Sequence, residues 1–267
     1  MEQAPEAHPP APPRALRPAL IGFLADTALA FVIIFVLMMG AGVLWGVLRG
    51  IQLAAAGAAE ADITAALMQP GPRVQILIAL FSMGSTALLL YFWRRPASVV
   101  ERRDSGMAAR RAGTWIAVVG VALLTFLSSS AATWLGQRLG VPPNPSNLAP
   151  IQELTSTTPA FTVAFAVLLA PLYEELLFRR VLFRGLWQAG YPVLGMLLSG
   201  LVFALAHEAP GLNGNTAAAT FLLLAVYTGM GVAFAWLYRR TGTLWAPIAA
   251  HALNNALALG ALQLAGG

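Results

Sequence analysis

Long apolar stretches alternate with short polar, arginine-bearing ones along almost the whole chain. About 20 apolar residues span the hydrocarbon core of a bilayer. Seven segments approach that length: 19–48, 74–93, 114–135, 159–177 (continuing as a helix to about 188), 191–207, 216–238 and 243–264. The fifth is the shortest. Helix is the conformation expected for all seven, because lipid offers no partner to an unpaired backbone group. The expected fold class is therefore all-α: a polytopic transmembrane helical bundle of about seven spans. The segment before the first span, residues 1–18, is rich in proline and reads as a disordered tail. The long apolar run after it fits a retained span better than a cleaved signal peptide.

Composition agrees. Of 267 residues, 58% are hydrophobic and only 10% charged. A soluble domain carries about 25% charge, so a soluble globular enzyme is excluded. There is no cysteine, hence no disulfide framework, thiolate metal site or cysteine nucleophile. The net charge is +5, and all 16 basic residues are arginine. With the N-terminus placed in the cytoplasm, 13 arginines fall on the cytoplasmic side and only Arg49, Arg73 and Arg138 on the other. That bias predicts a cytoplasmic N-terminus and an outward C-terminus. It also accounts for the basic charge without nucleic acid as a partner. Abundant alanine with no lysine points to a bacterial inner (cytoplasmic) membrane as the location, with the bilayer itself as one partner.

The chain divides in character. Residues 19–150 carry almost no polar group inside a span; Asp26 is the one acid there, and it lies near an end. Residues 155–264 place Glu174, Glu175, His207, His251 and Asn255 inside spans. Intramembrane ionisable residues are costly and mark functional sites. If a hairpin turns at Gly190, Glu174 and His207 each lie about 24–26 Å from the turn, at one depth. His251 lies about 16 Å beyond Arg240, and Glu174 about 15 Å before Arg184. An acid and two histidines thus meet near the midplane. Glu175 and Arg179 stand at i, i+4 in the favourable order. Phe203 and His207 share a helix face, as do His251 and Asn255. Glu174 and Glu175 diverge by about 100°, so one reacts and the other is held, with Arg179 as its partner. Gly195, Ser199, Gly229 and Gly231 read as close-packing positions.

Taken singly, each polar residue has a structural explanation. His207 could be interfacial beside Glu208. His251 and Asn255 could be interhelical hydrogen-bonding residues. The glutamates could pair with Arg179 and Arg180. Matched depth favours one shared site.

The motifs Glu174-Glu175-Leu-Leu-Phe-Arg179, Phe203-Ala-Leu-Ala-His207 and His251-Ala-Leu-Asn-Asn255 resemble the EExxxR, FxxxH and HxxxN/D motifs of the CPBP intramembrane proteases. That family is also called the CAAX protease and bacteriocin-processing family, or Abi domain. The resemblance covers about residues 155–260, and Arg180 stands where the family often has glycine. It implies a four-helix catalytic core around a conical polar cavity. It further implies an endopeptidase acting on a membrane-associated protein or peptide, in protein maturation or sorting-signal processing. Glu174 would be the general base, His207 would hold the same water, and His251 and Asn255 would stabilise the oxyanion; Glu175, Arg179 and Phe203 would support them. No cofactor is required by that scheme. A competing scheme makes Glu174, His207 and His251 ligands of a divalent metal such as zinc, although no HExxH is present. Two rival functions stay open: a proton-coupled transporter, against which no inverted repeat is seen, and a non-catalytic interaction protein of the Abi type.

Overall fold

The computed structural model describes residues 15–211 and 214–266. The expected tail falls mostly on residues outside that range. Among the described residues the fold is entirely helical, in ten helices. They are α1 (Leu16–Ala55), α2 (Glu60–Met68), α3 (Pro72–Arg94), α4 (Val99–Ala109), α5 (Ala112–Arg138) and α6 (Leu148–Thr157). The composite helix α7 (Pro159–Gln188), α8 (Pro192–His207), α9 (Ala217–Thr241) and α10 (Trp245–Gly266) complete the bundle.

Five of these, α1, α3, α5, α7 and α9, are long and apolar enough to cross a membrane. The protein is an integral membrane protein of the helical-bundle class. The other two expected spans are helices too. α8 is only 16 residues, and α10 is 22 residues diluted by His251, Asn254 and Asn255. α1 begins at Leu16, inside the segment expected to be tail. Pro18 does not prevent this, because the first turn of a helix needs no N–H from it. The short helices α2, α4 and α6 had no counterpart among the predicted spans.

Small residues set the tightest contact. A Cβ placed on Gly231 of α9 would lie 2.6 Å from the Cα of Gly200 in α8. Neither residue can be larger without moving a backbone, as close helix contacts in lipid require. Gly195 and Ser199 are also packed within the bundle, whereas Gly229 faces open space. The residue that Gly231 packs on is Gly200, opposite it on α8, which the sequence alone did not single out. Gly190, at φ 94°, makes the turn between α7 and α8.

The arginine-rich end is tied by two acids. Asp26 of α1 is fully buried and takes Arg94 at 2.5 Å and Arg95 at 2.5 Å. Glu101 accepts from Arg180 at 2.9 Å and pairs with Arg184. Arg180 also donates to the carbonyls of Arg95 (3.0 Å) and Pro96 (2.7 Å). Arg180 thus pins the α3–α4 connection to α7.

Candidate active site

α7 is not a uniform α-helix. Residues Ala164–Leu169 and Leu176–Phe183 are π-helical, with α-helical turns before, between and after. Pro171 lies just after the first π stretch. Such i→i+5 segments are rare and concentrate at functional sites. The turn Ala170–Glu175, between the two stretches, carries both glutamates.

The three predicted groups converge. His207 Nε2 lies 3.5 Å from Glu174 Oε2, and His251 Nε2 lies 4.0 Å from the same oxygen. Glu174 Oε2 is buried and has no hydrogen bond. The other imidazole nitrogens are anchored. His207 Nδ1 lies 2.9 Å from the Phe203 carbonyl, which fixes the proton on Nδ1 and leaves Nε2 facing Glu174. His251 Nδ1 lies 3.0 Å from Glu175 Oε1.

Glu175 and Arg179 form an ion pair at 2.9 Å with both side chains fully buried. Its angle falls short of a hydrogen bond. The remainder of the Arg179 guanidinium lies against aromatic rings: 4.8 Å from the Phe203 centroid, 5.4 Å from Phe234 and 5.8 Å from Phe178. Desolvated cation–π contacts of this kind are worth about 2 kcal/mol. Arg179 is thus a component of the site rather than one of the arginines that mark the membrane surface.

Aromatic rings wall the imidazoles. Phe203 lies 4.2 Å from His207 between centroids, Tyr227 lies 4.9 Å from His207, and Phe234 stacks on His251 at 5.0 Å. Sequence reasoning missed Tyr227 and Phe234. Their seven-residue separation on α9, which places both on one face, was the available signal. Where a conical polar cavity was expected, the carboxylate is enclosed. Glu174 is 7% exposed and His251 3%, because these rings close around the polar groups. His207, with 17% of its side chain exposed, is the most accessible of the three.

Asn255 does not join the set by a hydrogen bond. Its Nδ2 donates to the carbonyl of Ala166 at 2.8 Å, and its Oδ1 accepts from Asn254 at 3.2 Å. The interhelical role that the sequence offered as an alternative is the one seen for this residue. Asn254 and Thr125, joined at 3.0 Å, were also missed.

Glu174, His207 and His251 are the residues that would hold a divalent metal, their facing atoms lying 3.5 and 4.0 Å from Glu174 Oε2; among the described residues no group of three or more His, Asp or Glu side chains has the closed geometry of a metal centre.

Residues 156–257 match the family described as Type II CAAX prenyl endopeptidase Rce1-like. The chain is 27% identical over 139 residues to YdiL of Bacillus subtilis (strain 168), named as a membrane peptidase, covering 52% of each protein. It is 33% identical over 148 residues to the membrane-embedded CAAX protease MroQ of Staphylococcus aureus (strain USA300), covering 52% of this chain and 54% of that one. The chain thus spans about half the length of the curated relatives it matches. No solved structure matches it. The resemblance carried by the three motifs is borne out over that segment.

Proposed function

We propose that this chain, Rce1-like over residues 156–257, is an intramembrane endopeptidase that hydrolyses a peptide bond of a membrane-associated substrate with water activated by Glu174. The observation that carries this reading is the buried Oε2 of Glu174, which has no hydrogen bond and faces two imidazole nitrogens at 3.5 and 4.0 Å. A water between Glu174 and His207 Nε2 would be held by both. Glu174 takes its proton as the oxygen attacks the carbonyl carbon. His251, fixed at Nδ1 by Glu175, turns Nε2 toward the reacting centre; protonated, it donates to the oxyanion. Glu174 then returns the proton to the leaving nitrogen, the C–N bond breaks, and a carboxylate and an amine result. Arg179 holds Glu175 in place through their 2.9 Å contact, and Phe203 orients His207 through its carbonyl and ring. The substrates fitting this reading are membrane proteins undergoing maturation or loss of a sorting signal.

The test uses purified protein in proteoliposomes with candidate membrane-anchored peptides. Cleavage by the wild-type chain that Glu174→Gln and His207→Ala abolish, and that a strong chelator leaves unchanged, supports the reading. Proton-linked flux without cleavage would assign the residues to a transporter instead.

A further inference from the structure

Within the π-helical stretch of α7, the N–H of Ala170 bonds to the carbonyl of Phe165, five residues back. The next carbonyl in that register, Ala166, would be met by the N–H of residue 171. That residue is Pro171, which has none. A backbone carbonyl left open among apolar helices is strongly unfavourable. Asn255 of α10 fills the gap, donating Nδ2 to Ala166 O at 2.8 Å.

The amide that does this is itself held. Asn255 Oδ1 accepts from Asn254 Nδ2 at 3.2 Å, and Asn254 Oδ1 accepts from the Thr125 hydroxyl at 3.0 Å. Asn254 and Thr125 are both buried. A relay therefore runs from α5 through α10 to the backbone of α7, and ends just before the turn that carries Glu174.

We infer that Asn255 is a positioning residue for Glu174: it satisfies the carbonyl that Pro171 leaves open, and Asn254 and Thr125 fix its amide for that task. Pro171 and Asn255 then form a functional pair. The proline makes the irregular turn, and the asparagine locks it in one register. The inference rests on Glu174 as general base, because only then does the register of this turn govern the rate. It differs from direct donation to the oxyanion, for which the second N–H of the amide would be the donor.

The test is a double-variant cycle on the full chain in proteoliposomes, reading kcat and KM on a cleaved substrate. Asn255→Ala should lower kcat, by up to the ~100-fold that a 1 Å misplacement costs, with KM little changed. Pro171→Ala supplies an N–H to Ala166 O, so Pro171→Ala/Asn255→Ala should recover most of the loss. Thr125→Val should lower kcat in the wild-type chain and do nothing further beside Asn255→Ala. A double variant as slow as Asn255→Ala overturns the inference, since an oxyanion donor cannot be replaced by a backbone N–H at residue 171. Amide hydrogen exchange across residues 164–175 gives a readout free of activity. Exchange should be faster in Asn255→Ala and restored in the double variant, and unchanged exchange also overturns the inference. If Glu174→Gln still cleaves while exchange behaves as stated, the general-base reading fails and the structural pairing stands.

Discussion

Glu175 and Arg179 illustrate how much one buried charge depends on another. Both are fully enclosed, and Glu175 also accepts the contact from His251. Removing one partner of a buried ion pair costs about 3–5 kcal/mol, whereas replacing both by apolar groups of similar size is often neutral. Arg179→Met should therefore destabilise the protein by an amount in that range. Glu175→Leu/Arg179→Met should recover much of it while losing activity, because His251 is no longer oriented. Denaturant unfolding in detergent micelles, alongside a cleavage assay, reads both. The Glu175–Arg179 pair was legible from i, i+4 spacing alone, and so was the meeting of Glu174 with His207 and His251, from matched depths on three segments. The partner of Asn255 was not. Pro171 was visible, but the carbonyl it exposes depends on the π register of α7, and hydrophobic periodicity carries no sign of that register.

Between elements, two contacts make separate forecasts. At the α8–α9 crossing, Gly231→Ala forces backbone against backbone. It should cost about 1–3 kcal/mol as overpacking, while Gly229→Ala, with open space beside it, should be tolerated. Thermal unfolding of the two variants in the same detergent separates them. At the arginine-rich end, Glu101 both caps α4, in a reciprocal pair with Ser98, and receives Arg180 and Arg184. Burial pushes its carboxyl up, but the hydrogen bonds from Arg180, the Ser98 backbone and Arg184 outweigh this and bring it from 4.5 to about 2. The folded state therefore favours the charged form. The resulting stabilisation is complete above pH 4.5 and is lost as pH falls toward 2. Limited proteolysis of the α3–α4 connection should show protection fading over that interval in the wild-type chain. In Glu101→Gln the same connection should be cut readily at every pH. The short helix α4 escaped sequence reading because it is mostly polar and stabilised by its cap and these arginines rather than by an apolar stripe.

For the molecule as a whole, the N-terminal helices are more than ballast for the motif-bearing half. Thr125 of α5 reaches Asn254, Glu101 of α4 holds Arg180 and Arg184, and a Cβ on Gly84 of α3 would touch Tyr173 beside Glu174. A boundary near residue 150 therefore separates where the motifs lie, not where their support comes from. We propose that the arginine-rich end faces the cytoplasm. Because the natural chain has no cysteine, single replacements test this cleanly. Arg103→Cys should resist a membrane-impermeant thiol reagent in intact cells, and Gln69→Cys should react. The reverse pattern would invert the topology.

The most direct measurement of the central claim is a comparison of membrane-protein termini in cells carrying the wild-type chain with those carrying Glu174→Gln at equal abundance. The account predicts new termini, within or beside transmembrane segments, that occur with the wild-type chain and vanish with the variant. Identical termini in the two would contradict it.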